Sequence, residues 1–317
     1  MISIVVITYN QERFIEELLN SIRKQTFPDI ELIISDDASS DGTQIVIENW
    51  LSKYEDRFRR VVFLKNSENV GGVANLNRAM NYAMGELIKP MDGDDVLFPT
   101  ALEYAWRAYE EGFHWLQGRV IPFYRVDGNY CFKLFRPYPW DIKKFTYDSS
   151  KFLLELLRYN FIANPGVFFS SELWEKYGPY DETYKFLADY PLWIKMAKSG
   201  EKIRYIPRIL VYWRRHEKAV SFNSTGKLYS SRILSDSLRN TTDILSFENI
   251  PILLRYRLWV KKKLLQSNIH ENRFEYMLYK FLKYFDVYSW ANLPHRLVNE
   301  WFVERRLCNE RHSSGRR

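Results

Sequence analysis

The first ninety residues alternate short apolar, β-branched runs with helical stripes, and this alternation restricts the chain to a largely parallel sheet covered by helices. Residues 2–7 are almost wholly apolar and stop at Thr8-Tyr9-Asn10-Gln11-Glu12, the pattern of a strand buried on both faces. Within 12–25, Phe14, Ile15, Leu18, Leu19 and Ile22 share one helical stripe, which Phe27-Pro28 terminates. Residues 30–35 and 61–64 repeat the strand pattern, and the polar loop 36–43 between them opens a helix over 44–54. Asn69-Val70-Gly71-Gly72 precedes a helical stretch over 73–84, after which a strand over 87–90 leads into Asp92-Gly93-Asp94-Asp95. Ligands of parallel sheets bind beyond the carboxyl ends of the strands. The polar clusters 8–12, 36–37 and 92–95 all fall there, as parts of one expected site.

Three carboxylates crowded at the end of a buried strand repel one another and lose hydration, so they need a compensating positive charge. A hard divalent cation, Mg or Mn, prefers oxygen ligands and keeps positions open for substrate phosphates. Asp-Gly is also a turn signal, and the tetrad taken alone leaves a solvated turn open.

Beyond residue 112 the pattern is mixed. Strands are expected over 115–124 and 167–170, helices over 151–159 and 187–198, and two strands, 203–206 and 209–213, on either side of Pro207. After about residue 224 the chain reads as helical, with breaks at Asn249-Ile250-Pro251 and Asn292-Leu293-Pro294 and a disordered end over 313–317. The formal charge of +7 sits in the tail: residues 251–317 hold 14 Lys/Arg against 6 Asp/Glu. Interleaved with Leu, Trp and Tyr at helical spacing, these charges suit packing or lipid contact better than nucleic acid, and no nucleic-acid partner is expected. Cys131 and Cys308 match no metal or redox spacing and point to a reducing compartment. The N-terminal apolar run lacks a charged leader and breaks too early for a secretory signal, and no stretch of 18 apolar residues occurs. A cytoplasmic protein is expected, acting in solution or at the inner face of the plasma membrane.

Residues 4–10, Gln25-Thr26-Phe27, residues 31–43, Asn69-Val70-Gly71 with Asn77, and residues 91–95 together resemble an inverting GT-A glycosyltransferase of family 2. The likeness continues more loosely through Gly178-Pro179-Tyr180-Asp181-Glu182, residues 189–193 and residues 212–216. It implies an α/β fold, Rossmann-like with a mostly parallel sheet flanked by helices, and a helical C-terminal extension. Residues 1–112 would grip the nucleotide sugar, 113–223 would supply the acceptor side and the base, and 224–317 would form the extension. The implied activity transfers a sugar from a UDP-sugar to a hydroxyl of a saccharide or lipid-linked saccharide, as in bacterial surface polysaccharide synthesis. By this resemblance Thr8, Tyr9, Asn10 and Glu12 line the nucleotide pocket, with Asn69 and Gly71 in the neighbouring loop. Asp37 suits an imide N–H of uracil, and Tyr9 offers a ring face to the base.

The resemblance further gives Asp92 to both ribose and metal, Asp94 to the metal with Asp95 in support, and His216 to completing the metal or diphosphate site. Arg214 and Arg215 could pair with phosphate oxygens. Inversion needs a base on the face opposite the leaving diphosphate, and the resemblance assigns it to Asp189, which could serve as a helix N-cap at the same time. Ala188 replaces the acidic neighbour usual in the family, Pro191 stands where an Asp is frequent, and Leu76 stands where many relatives carry Arg. Trp174, Trp193 and Trp213 are open between core and acceptor contact. Two other classes compete: a catalytically silent nucleotide- or glycan-binding module, and a sugar nucleotidyltransferase. The latter opens with a Gly-rich, Arg-containing loop, which Thr8-Tyr9-Asn10-Gln11 lacks. The tail helices are open between membrane, acceptor and a homodimer contact.

Overall fold

The computed structural model describes residues 1–126, 129–216, 233–248 and 250–266. Its elements begin with β1 (Ile2–Thr8), α1 (Ile15–Arg23), β2 (Ile30–Asp36), α2 (Thr43–Tyr54), β3 (Arg60–Lys65), α3 (Gly72–Met80) and β4 (Leu87–Asp92). There follow β5 (Val96–Leu97), α4 (Ala101–Glu110), β6 (Trp115–Val126), β7 (Asn129–Phe132), α5 (Ser149–Arg158), β8 (Val167–Ser170) and α6 (Ser171–Tyr177). The last described are α7 (Asp189–Lys198), β9 (Ile203–Arg214), α8 (Leu234–Leu245) and α9 (Ile252–Gln266).

The chain divides into two compact units, 1–122 with 135–153 and 160–214, and 123–134 with 154–159 and 215–317. The expected boundary at 112/113 therefore falls inside the first unit. There the sheet runs β3-β2-β1-β4-β8-β6-β9-β5. β3, β2, β1 and β4 are parallel, as the alternation requires, whereas β8 pairs antiparallel with β4 and β6, and β5 with β9. Ile2, Ile4 and Val6 of β1 bury one side chain each against Ile15, Leu18, Leu19 and Ile22 of α1, and Ile47, Trp50 and Leu51 of α2 join the same core. Each such burial contributes about 1.5–3 kcal/mol, so helix and strand stabilise one another through the stripe legible in sequence. The parallel register sets Thr8 beside Asp36 and Ile7 beside Asp92, which aligns three loops on one edge.

Two expectations change in this unit. The helix over 73–84 stops at Met80, and Tyr82 N–H to Ala79 O (3.0 Å) and Ala83 N–H to Met80 O (3.1 Å) turn the chain instead. The turn delivers Gly85 against β1, where a Cβ would stand 2.6 Å from Ser3 N, a separation only glycine allows. The two strands around Pro207 are one continuous β9. Pro207 is exposed and lies outside the ladder with β5, which pairs Val211 and Tyr212. Of the tryptophans, Trp193 is fully buried and stacked on Trp115 at 5.5 Å, Trp213 packs partly buried against the core, and Trp174 lies 5.3 Å from Tyr180.

In the second unit, Phe123–Val126 of β6 pair antiparallel with β7, and α8 packs on α9. Arg255 of α9 donates to the carbonyls of Leu245 (3.2 Å), Phe247 (2.8 Å) and Glu248 (3.0 Å), satisfying acceptors that the end of α8 leaves open. No helix among the described residues is long and apolar enough to cross a membrane. Cys308 and the breaks at Asn249 and 292–294 lie outside the described residues.

Candidate active site

The loops after β1 and β2 are hydrogen-bonded to each other. Asn10 N–H donates to Ser39 Oγ (2.9 Å), Ser40 N–H to Asn10 Oδ1 (2.8 Å), Gln11 N–H to Thr43 Oγ1 (2.8 Å) and Gly42 N–H to Glu12 Oε2 (3.1 Å). Both loops turn through left-handed residues, Asn10 at φ 52° and Ala38 at φ 58°. For alanine this conformation costs about 1 kcal/mol or more, which the loop-to-loop bonds offset.

Asp37 is almost fully buried, and its carboxylate organises the third loop. Oδ1 accepts from Asn66 Nδ2 (2.8 Å) and Val70 N–H (2.9 Å), and Oδ2 accepts from Gly71 N–H (2.9 Å). Asn69 Nδ2 reaches Asp37 O at 3.3 Å, and Gly71 takes φ 92°. Two donors fill Oδ1, so an imide N–H could be accepted only at Oδ2.

Beside these loops Thr8 Oγ1 and Gln11 Oε1 are buried without a hydrogen-bond partner. Both face Gly93, where a Cβ would stand 2.1 Å from Gln11 Oε1 and 3.1 Å from Thr8 Oγ1. Buried polar atoms without partners are costly, and here they mark a place for ligand donors. Sequence reasoning passed over Gln11, because a single glutamine in a polar loop has no periodic signal. Tyr9 is about half exposed, with 48% of its surface open.

β4 ends at Asp92, and Gly93 N–H returns to Ile7 O (2.9 Å) while Asp95 N–H turns back to Asp92 O (3.2 Å). One carboxylate oxygen from each of Asp92, Asp94 and Asp95 lies within 4.8 Å of the others. Asp95, expected only in support, is a full member and nearly buried. Burial, with Asp94 and Asp92 beside it, raises its carboxyl well above the ordinary range, against the Arg214 N–H and Lys89. Asp92 is raised as well, by burial of its surroundings and by Asp94, although one side of its carboxylate meets water. Three hard oxygen donors within reach of one ion, held at a like-charge cost, fit a divalent cation of the Mg or Mn class.

Arg214, expected at phosphate oxygens, is engaged by the protein. Its N–H donates to Asp95 Oδ1 (2.9 Å), Nε to Asp94 O (2.7 Å) and Nη2 to Glu17 Oε2 (2.6 Å), with the guanidinium 4.9 Å over Phe14. It thereby ties β9 and α1 to the tetrad backbone. Arg215 and His216 belong to the second unit, where Arg215 N–H donates to Phe123 O (2.7 Å).

Asp189 is the first residue of α7, and Ala188 takes the N-cap position expected of it. Burial raises its carboxyl to about 6, while the backbone N–H groups of Tyr190 and Asp189 hold the value down. The Trp193 indole and Asn160 amide act in the same direction, though the buried Trp193 N–H closes no hydrogen bond. Asn77 of α3 fixes the approach to α7: Nδ2 donates to Tyr180 O (2.9 Å) and Glu182 Oε1 (2.9 Å), and Oδ1 accepts from Tyr180 N–H (3.0 Å). The buried Tyr180 phenol is raised by burial and then by the charges of Asp189 and Asp92, so both carboxylates bear on one ring.

A family model described as "Glycosyl transferase family 2" matches residues 3–162, half of the chain. The chain belongs to that family. This glycosyltransferase is 28% identical over 249 residues to an uncharacterized glycosyltransferase of Methanocaldococcus jannaschii, covering 76% of this chain and 80% of that one. It is 35% identical over 120 residues to the GalNAc(5)-diNAcBac-PP-undecaprenol beta-1,3-glucosyltransferase of Campylobacter jejuni, covering 38% of each. Among solved structures, S. aureus TarS 1-349 in complex with UDP-GlcNAc shares the fold with a TM-score of 0.60 at 20% identity, covering 89% of this chain and 79% of that one. The glycosyltransferase thus has a GT-A fold, and the edge where β1, β2 and β4 end is its candidate active site.

Proposed function

We propose that this glycosyltransferase moves a sugar from a UDP-sugar to a hydroxyl of a saccharide acceptor with inversion. The observation that carries the reading is the carboxylate trio Asp92, Asp94 and Asp95 at the parallel strand ends, with Asp189 acting electrostatically on Asp92 from the start of α7. Residues 1–112 grip the donor, and 113–223 carry the acceptor side. Thr8, Gln11 and the remaining lone pair on Asp37 Oδ2 supply polar contacts to the nucleotide, and Tyr9 supplies a ring. Asp92, Asp94 and Asp95 would hold Mn or Mg, which supplies Lewis-acid stabilisation of the departing diphosphate.

Asp189 takes the proton of the acceptor hydroxyl as its oxygen bonds to the anomeric carbon and the bond to the diphosphate oxygen breaks on the opposite face. The roles of Arg215 and His216 at the diphosphate belong to this proposal on family resemblance alone. A UDP donor agrees with the UDP-GlcNAc complex of TarS, and a lipid-linked acceptor of surface polysaccharide synthesis agrees with the Campylobacter relative. A panel of UDP-sugars with Mn, assayed for UDP release, should single out one donor whose slow hydrolysis accelerates with acceptor. UDP binding without turnover of any sugar would favour the silent module.

The acceptor class makes the inner face of the plasma membrane the place of action. α9 is apolar on two sides: Leu254, Leu258 and Leu265 are buried, while Ile252, Leu253, Tyr256 and Trp259 are exposed at 81%, 64%, 60% and 49%. At about 100° per residue Ile252, Tyr256, Trp259 and Lys263 fall in one stripe, with Leu253 on one flank and Lys262 on the other. A Trp-Tyr stripe bordered by cations is the chemistry of an interfacial helix on anionic lipid. Flotation with vesicles containing phosphatidylglycerol should carry the protein at low salt, and Tyr256→Ser with Trp259→Ser should abolish this. A concentration-dependent dimer lost in that variant, with no flotation of the parent, would assign the stripe to self-association.

A further inference from the structure

Arg214, the last residue of β9, is a buried arginine whose place follows from the ladder with β5. That ladder pairs Leu97 with Val211 and Val96 with Tyr212, and the same register carried further brings Asp94 opposite Arg214. Side chains there make the bonds that backbone partners make earlier in the ladder. The Arg214 N–H donates to Asp95 Oδ1 (2.9 Å), and Asp94 O accepts from Arg214 Nε (2.7 Å). Any residue except proline could supply the first bond, whereas the second needs this side chain. Nη2 then reaches Glu17 Oε2 (2.6 Å) in the first turns of α1, and the guanidinium stands 4.9 Å over the Phe14 ring. Ile15, Leu18, Leu19 and Ile22 fix α1 to the sheet through the core. Helix α1 is therefore the rigid end of this linkage, and the tetrad turn is the end that is held.

We propose that Arg214 is a positioning residue for the divalent cation: it pins the Asp94 backbone between α1 and β9, so that the Asp94 and Asp95 carboxylates are in place before the ion arrives. Carboxylates that the ion itself must order bind it more weakly, because the ordering cost is taken from the binding free energy. Glu17 is the anchor. It holds the outer edge of the guanidinium and balances a positive charge that would otherwise oppose a nearby cation. A positioning role and a purely electrostatic one have opposite signs. Removing a positive charge beside the ion tightens binding, whereas removing a group that orients its ligands weakens it.

This inference rests on the cation reading above, and calorimetric Mn titration of the full chain at pH 7 separates the two. The parent should bind one Mn. Arg214→Lys keeps the charge but loses the planar fork that spans Asp94 O and Glu17, and it should bind Mn roughly tenfold more weakly. Arg214→Met should lose at least as much, despite shedding a positive charge. Glu17→Gln, at the half-exposed end, should cost about threefold and add little to Arg214→Lys, since both act through one linkage. UDP affinity in the presence of a chelator should stay within about threefold of the parent in each variant, because the core, and not Arg214, holds α1. Circular dichroism checks folding; should the methionine variant fail, the lysine and glutamine variants carry the test. A folded Arg214→Lys with unchanged or tighter Mn affinity overturns the role of Arg214 while the cation reading stands. Metal-free UDP affinity that falls together with Mn affinity makes the arginine a general support of the fold and overturns the role equally. A parent that binds no Mn, with or without UDP, overturns the cation reading and this inference with it.

Discussion

Asp189→Asn is expected to lower kcat by roughly 10²–10⁴-fold while UDP affinity stays within about threefold, because the amide keeps the shape and loses the proton acceptor. The pH dependence separates a base from a structural carboxylate. With the carboxyl raised to about 6, its ionised fraction falls as pH drops through that value. The parent should therefore show log(kcat/KM) rising with unit slope below about pH 6 and levelling above it. The asparagine variant should lack that limb, and Asp189→Glu should shift it.

Stability supplies a control of opposite sign. A carboxyl raised in the folded state favours folding most when protonated, and that contribution is lost as pH rises from the unfolded value through about 6. At pH 8 the asparagine variant avoids burying this charge, so it should melt no lower than the parent. A variant that melts much lower, or that retains parental kcat, would remove Asp189 from the base role.

The second large effect concerns the acid trio. Asp94→Asn should reduce turnover about a thousandfold, equivalent to about 4 kcal/mol of lost transition-state stabilisation. Chelation should silence the parent equally, with Mn restoring it and not the variant. Melting curves give a readout independent of turnover. Mn should raise the melting temperature of the parent through linkage and leave Asp94→Asn unmoved. Without metal the variant should melt higher than the parent, since it relieves repulsion that raises the Asp92 and Asp95 carboxyls. Full metal-dependent activity in Asp94→Asn would place the cation elsewhere.

Much of this site was legible in advance, and the reason is local. Strand ends are set by where β-branched runs stop, so Thr8, Asp36 and Asp92 could be assigned to one edge before any coordinates; the register then placed Thr8 beside Asp36 and Ile7 beside Asp92. Other features depend on neighbours distant in sequence. Arg214 reads as a phosphate ligand from its place in the chain, yet β9 brings it against Asp94, Asp95 and Glu17, which occupy it. Pro207 reads as a break, yet β9 runs through it without interruption between β6 and β5.

The sequence by itself determined the parallel half of the sheet, the edge that holds the chemistry and the acids at its centre, because hydrophobic period and strand length are short-range properties. Only the tertiary structure decided how those acids are managed. Asp95 joins the trio, Asn77 holds the loop that leads to Asp189, and Lys89 lies buried in the strand that ends at Asp92, where Pro90 interrupts the ladder. The Asn77 bonds and the Pro165 and Val167 acceptors of Lys89 join segments far apart along the chain, and burial there sets the charge balance that composition cannot.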